Sequence, residues 1–137
     1  MKSHLIHFFE GKKVGITGAS GTIGKALLSR ILIKELKVDS IVALDNSESA
    51  LFQLVSEQKD KRIETVFADI RDYNSLEERF NGVDILFHCA AMKHVNICEK
   101  SPIDAIKTNV LSTQNVIDAS ISNKISHVVF SSSDKAV

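Results

Sequence analysis

The sequence predicts a doubly wound α/β domain built on a parallel sheet with the strands in the spatial order 3-2-1-4-5. Three observations lead there. Five short apolar segments alternate with amphipathic helical stretches along the whole chain. A glycine-rich turn, Gly18-Ala19-Ser20-Gly21-Thr22-Ile23-Gly24, joins the first segment to the first helix. The chemically distinctive residues fall at the carboxyl ends of strands: Asp45, Asp69, Ala90-Ala91 and the run Ser132 to Lys135. In an open α/β sheet a ligand sits at those ends, where the strand order reverses beside strand 1.

Taken in order, Leu5, Ile6, Phe8 and Phe9 form an apolar lead-in expected to pack on the domain or on a partner. Val14 and Ile16 mark the first strand, and Ile23, Leu27 and Ile31 recur as one face of the helix that follows. Ile41 to Leu44 is the second strand and ends in Asp45, 21 residues past Gly24. Ser47 caps a helix running to Gln58, with Leu51, Leu54 and Val55 on its inner face. Arg62 to Ala68 is a third strand, Asp72 caps a helix that buries Leu76 and Phe80, and Asn81-Gly82 ends it. Val83 to Ala91 is nearly continuous in apolar residues, as a strand covered on both faces must be. Ser101-Pro102-Ile103-Asp104 opens the longest helix, in which Ile103, Ile106, Val110, Thr113, Ile117 and Ile121 recur at helical spacing as core or dimer surface. His127 to Phe130 is the fifth strand.

The glycine turn has a specific use. Glycines let the backbone approach a pyrophosphate, and the free N–H groups and positive end of the helix dipole hold its charge. Gly18, Ser20, Gly21, Thr22, Ile23 and Gly24 are therefore the candidate dinucleotide cradle, in the spacing G-x-x-G-x-x-G. Asp45 is placed to accept hydrogen bonds from the adenosine ribose hydroxyls. It would also repel a 2′-phosphate, and Asn46-Ser47 supply no arginine to bind one, so NAD is favoured over NADP.

Bulk composition bounds the rest. A chain of 137 residues is one domain. Seventeen basic against seventeen acidic residues leave no electrostatic footprint for nucleic acid. No apolar run is long enough to span a membrane, and the first ten residues do not make a secretory signal. Two cysteines make no disulfide framework, which points to a reducing cytoplasm. His88, Cys89, His94 and Cys98 fit no common zinc spacing, so no metal site is expected, and Cys89 reads as a small core residue.

Beyond the turn, Asp69-Ile70-Arg71-Asp72 after the third strand resembles the extended short-chain dehydrogenase/reductases, a Rossmann-type family. More narrowly, Ala90-Ala91-Met92-Lys93-His94-Val95, Ala105 to Val110 and Ser132 to Val137 resemble the CapD-like UDP-N-acetylglucosamine 4,6-dehydratases of polysaccharide biosynthesis. The resemblance implies a tightly held NAD or NADP and a UDP-sugar substrate that is oxidised at C4, loses water across C5 and C6, and is reduced at C6. It implies that Asp134 is the acid at the C6 hydroxyl, Lys135 the base at C5, and Ser133 a hydroxyl near O4 of the sugar. It also implies that Asp69 and Ile70 flank the adenine, that Ala90, Ala91 and Lys93 line the cofactor and substrate cleft, and that Asn109 ties the strand ends together. In the superfamily, oxidation at C4 uses a Tyr-x-x-x-Lys pair, or a variant with Met, beyond the fifth strand. Tyr73, the one tyrosine here, is followed four residues later by Glu77. The expectation is thus the N-terminal part of a longer enzyme, able to hold a dinucleotide but inactive alone, and self-associating through an uncovered fifth strand as a homo-oligomer. The rival expectations are a nucleotide-sugar 4-epimerase or reductase, which needs no acid–base pair for dehydration, and a non-catalytic NAD(P)-binding module.

Overall fold

The computed structural model describes residues 2–132. Its five parallel strands form one sheet: β1 (Lys13–Thr17), β2 (Ser40–Asp45), β3 (Ile63–Phe67), β4 (Ile85–His88) and β5 (His127–Phe130). Their spatial order is β3-β2-β1-β4-β5, the doubly wound Rossmann-like arrangement expected from the sequence. Val14 pairs with Ile41 on one side and with Ile85 on the other, so β1 is central and the order reverses between β1 and β4.

Alternate residues of each central strand face opposite cores. On one face Val14, Ile16, Ile41, Ala43 and Ile85 pack against Leu28 and Ile31 of α2 (Thr22–Ile31) and Leu51 and Leu54 of α3 (Glu48–Glu57). On the other, Val42, Leu44, Val66 and Leu86 meet Leu76 of α4 (Tyr73–Arg79), Phe80 just after it, and Val116 and Ala119 of α7 (Ser112–Ser122). The lead-in is a helix, α1 (Lys2–Phe9), and it docks on the first face. Phe9 is buried and stacks on Phe87 at 6.4 Å, while Phe8 meets His127 edge-on at 4.8 Å.

Two caps form as the sequence predicts. Ser47 Oγ accepts the N–H of Ala50 and an Asp72 side-chain oxygen accepts that of Ser75. Other expectations are corrected. The inner face of α2 is Gly24, Leu28 and Ile31, whereas Ile23 is half exposed and Leu27 only partly covered. Val55 flanks the buried face of α3 rather than joining it. β4 is shorter than the apolar run around it, because Val83 and Ala90 continue the core without sheet pairing.

The long helix differs most. A separate helix, α5 (Val95–Lys100), precedes it; the expected span itself is divided into α6 (Pro102–Ile106), a π turn over Lys107–Leu111, and α7, and the Ser101 side chain makes no cap. Its isoleucine stripe faces outward, with Ile103 62% and Ile121 70% exposed. The buried side of α7 is Ser112, Val116, Ala119 and Ser120. Small residues let the helix lie close to the sheet, and their hydroxyls are satisfied inside it: Ser112 Oγ donates to Lys107 O at 2.7 Å and Ser120 Oγ to Val116 O at 2.6 Å. Periodicity reports an apolar face; it does not say which neighbour, if any, covers it. Among the described residues no helix is long and apolar enough to cross a membrane.

Candidate functional site

At the carboxyl ends of β1, β2 and β4 the chain opens into a cleft of about 400 Å³. β1 feeds it through Gly18, whose φ of +67° and close approach to β4 both require glycine: a Cβ there would sit 2.7 Å from Ala90 N. Gly24 lies beneath the turn, where a Cβ would run into Gly18 O and would stand 2.7 Å from Ala19 Cα. These contacts pull the start of α2 against the end of β1. Gly21 is the N-cap of α2 and provides no side-chain cap, so the first N–H groups of the helix stay available to an anion.

Asp45 closes the cleft at the tip of β2. One carboxylate oxygen accepts the Ser20 N–H at 3.1 Å and the Ser20 hydroxyl at 2.5 Å; the other accepts the Ser47 N–H at 3.1 Å. The carboxylate is thereby fixed facing the glycine turn, with lone pairs left for further donors. Beyond it, Asp69 accepts three hydrogen bonds from the Arg71 guanidinium, the shortest at 2.6 Å, and one from the Arg71 N–H at 2.9 Å. The guanidinium holds the Asp69 carboxyl below the usual carboxylate range, and Asp69 raises Arg71 in return. The opposite lip is the segment after β4. There Met92 is gripped twice by Asn109, whose Oδ1 accepts the Met92 N–H at 2.9 Å and whose Nδ2 donates to Met92 O at 2.8 Å.

Of the predicted site residues, Gly18, Ser20, Gly21, Asp45, Asp69, Ile70, Ala90, Ala91 and Lys93 all line this one cleft. Thr22, Ile23 and Gly24 stand at the start of α2 behind the turn, and Asn109 reaches the lip through Met92. Ser133, Asp134 and Lys135 lie outside the described residues. Sequence reasoning passed over Arg71 and Thr108 as cleft residues, although each adjoins a residue it singled out. It also missed the tie beneath the cleft. Thr17, fully buried, shares a 2.7 Å hydrogen bond with His88 Nδ1, and its Oγ1 accepts the Ala90 N–H at 3.4 Å. Burial lowers the His88 pKa, which favours the neutral ring, and raises that of the Cys89 thiol in the cleft wall, which disfavours the thiolate.

The donor set fits a dinucleotide: a glycine cradle with no room for a Cβ, an uncapped helix start, and a fixed carboxylate one strand over.

Comparison with known proteins agrees with this geometry. The family model described as "Polysaccharide biosynthesis protein" matches residues 14–137. An uncharacterized membrane protein of Methanocaldococcus jannaschii is 36% identical over the whole chain, which covers 40% of that relative. UDP-glucose 4-epimerase of Rickettsia massiliae is 38% identical over 94% of the chain and 38% of its own length. Among solved structures, Pen from Bacillus thuringiensis superposes with a TM-score of 0.91 at 42% identity, covering 95% of this chain and 40% of that one. DesIV, a dTDP-glucose 4,6-dehydratase from Streptomyces venezuelae solved with NAD bound, gives 0.75 at 26% identity over 85% and 38%. The chain thus spans about 40% of the length of the relatives it matches. With nearly all of its length inside the matching model, this chain belongs to the polysaccharide biosynthesis protein family.

Proposed function

We propose that the chain is the NAD(P)-binding Rossmann domain of a nucleotide-sugar 4,6-dehydratase acting in polysaccharide or surface-glycan synthesis in the cytoplasm. The observation that carries the cofactor reading is the uncapped start of α2 with the Gly18 turn packed against Ala90 and Asp45 fixed across from it. Gly18, Gly21 and the first N–H groups of α2 would take the pyrophosphate, and Asp45 the adenosine ribose. NAD is favoured over NADP: Asp45 disfavours a 2′-phosphate, and Arg71, the arginine of the cleft, is committed to Asp69. When bound, the cofactor supplies hydride transfer from and back to the sugar.

The dehydratase reading rests on the residues that follow β5. Asp134 would protonate the departing C6 hydroxyl while Lys135 removes the C5 proton of a UDP-N-acetylglucosamine-type substrate, with Ser133 holding O4. The Ser131 N–H bonds His88 O at 3.0 Å, which carries the β4–β5 pairing one residue past β5. A 4-epimerase is the second reading, favoured by the names of the Rickettsia relatives. A non-catalytic binding module stands behind both, and self-association as a homo-oligomer belongs to the same proposal.

Titration calorimetry with NAD and NADP tests the cofactor half. Saturable NAD binding, tighter than NADP, is expected; tighter NADP would overturn the preference. Incubating the product of the complete reading frame with UDP-N-acetylglucosamine tests the rest. A product lighter by one water is expected, whereas a product of unchanged mass would mark an epimerase. These 137 residues alone should show no turnover, and measurable dehydration by them would refute the partial-enzyme reading.

A further inference from the structure

We propose that Asn115 is a positioning residue for the adenosine end of the cleft, holding the loop after β3 in the shape that a dinucleotide would meet. The proposal deepens the cofactor reading above and rests on it. Asn115 lies near the start of α7, far in sequence from the loop it touches. Its Nδ2 donates to Ile70 O at 3.2 Å and to Arg71 O at 3.1 Å. Both residues line the cleft, and neither belongs to a strand or helix whose ladder would take those carbonyls. Two N–H donors on one planar nitrogen suit two successive carbonyls, and an asparagine supplies them on a short stem.

From within, the loop is tied by Asp69, which accepts from the Arg71 N–H at 2.9 Å and, through its own carbonyl, from the Asp72 N–H at 3.0 Å. Asn115 ties it from behind. Six residues earlier on the same helical run, Asn109 grips Met92 on the opposite lip. One run of helix therefore sets the spacing of both lips, with the π turn that contains Asn109 and leads into α7 fixing how the two amides are aimed. Neither asparagine needs to touch a ligand to do this.

The test is Asn115→Asp, which preserves shape while replacing both donors by an oxygen set against two carbonyls. ADP-ribose, which keeps the adenosine and the pyrophosphate and lacks the nicotinamide, is the probe. At about pH 7.5 its affinity should fall about tenfold, as expected for losing two hydrogen bonds, one of them part-buried, and setting a carboxylate against two carbonyls. In the unliganded chain, amide exchange at Arg71 and Asp72 should quicken. Toward pH 5 the introduced carboxyl, set against two carbonyls that raise its pKa above the ordinary aspartate value of about 3.9, takes up a proton and regains one donor, so the loss should shrink. The nearby ionisable groups, Asp69, Arg71 and Asp72 of the loop, Asp104 beyond it and Asp118 on α7, are common to both proteins and cancel in their ratio. A merely structural lesion would give the same ratio at both pH values, and that result, or unchanged affinity and exchange, overturns the proposal. Should the unaltered chain fail to bind ADP-ribose, the cofactor reading falls. The exchange rates then decide alone: faster exchange supports Asn115 as the tie, and unchanged exchange refutes it.

Discussion

At the residue scale, the glycines of the turn are not equivalent. A methyl at Gly24 meets backbone on two sides, Gly18 O and Ala19 Cα, neither of which can rotate away. A methyl at Gly21 meets only Gly18 O at 3.2 Å, with φ already in the ordinary range. Gly24→Ala should therefore destabilise by about 1–3 kcal/mol, as overpacking does, and abolish NAD binding. Gly21→Ala should shift the melting temperature little and weaken NAD binding moderately; equal melting curves for the two variants would contradict this ordering. His88 offers a pH signature. Its folded pKa is lowered by burial, so below about pH 6.5 the unfolded chain takes up a proton that the fold resists. Stability should be intact above that value and decline as the pH falls through the interval down to the lowered pKa. In His88→Asn, which keeps an acceptor for the Thr17 hydroxyl, that decline should flatten; urea melts at stepped pH would read it. Asp60 acts further down the scale. Its hydrogen bonds from Arg62 lower its pKa to about 2, so its contribution is present above the ordinary aspartate range and is lost as the pH approaches 2.

At the element scale, burial ranks the helices by what they contribute. Phe80, with none of its surface exposed, anchors the end of α4 against the second core, and Phe80→Ala should cost about 3–5 kcal/mol. Phe52, 73% exposed on α3, should change stability by less than about 0.5 kcal/mol on the same substitution. Chemical denaturation would separate the two, and comparable losses would mean that the outward face of α3 is covered in solution. This contrast also marks what the sequence could reveal. The strands, the Ser47 and Asp72 caps and the Leu76–Phe80 pair were legible because each is decided by neighbours a few residues away. The glycine turn and Asp45 were legible for the same reason, as a local spacing with a known use. The orientation of the last long helix was not. Ile103, Ile106, Val110 and Ile121 form the more hydrophobic stripe, yet the sheet receives Ser112, Val116, Ala119 and Ser120, because proximity favours small residues there. Nor could spacing reveal the π turn, the Thr17–His88 bond or the reach of Asn115 to Ile70 and Arg71, all of which depend on partners at least forty residues apart or on backbone geometry that hydropathy does not encode.

At the scale of the whole molecule, the sheet has two edges and they are protected differently. β3 is flanked by Arg62 and carries Glu64, charges that discourage another strand from pairing. β5 reads His-Val-Val-Phe without a formal charge, with Val129 and Phe130 both exposed and, among the described residues, no strand beyond it. The outward stripe of α6 and α7 adds a second apolar surface. An uncharged edge offers both a row of free N–H and C=O groups and apolar side chains, whereas the helix stripe offers side chains alone, since its backbone groups are already paired. Association should therefore run chiefly through β5. Light scattering on the eluting protein should show a mass that rises with concentration. Val129→Lys, a charge on the open edge, should return it toward the monomer more completely than Ile106→Glu on the helix stripe. A strictly monomeric species at high concentration would remove the premise, and a larger effect from Ile106→Glu would move the interface to the helices.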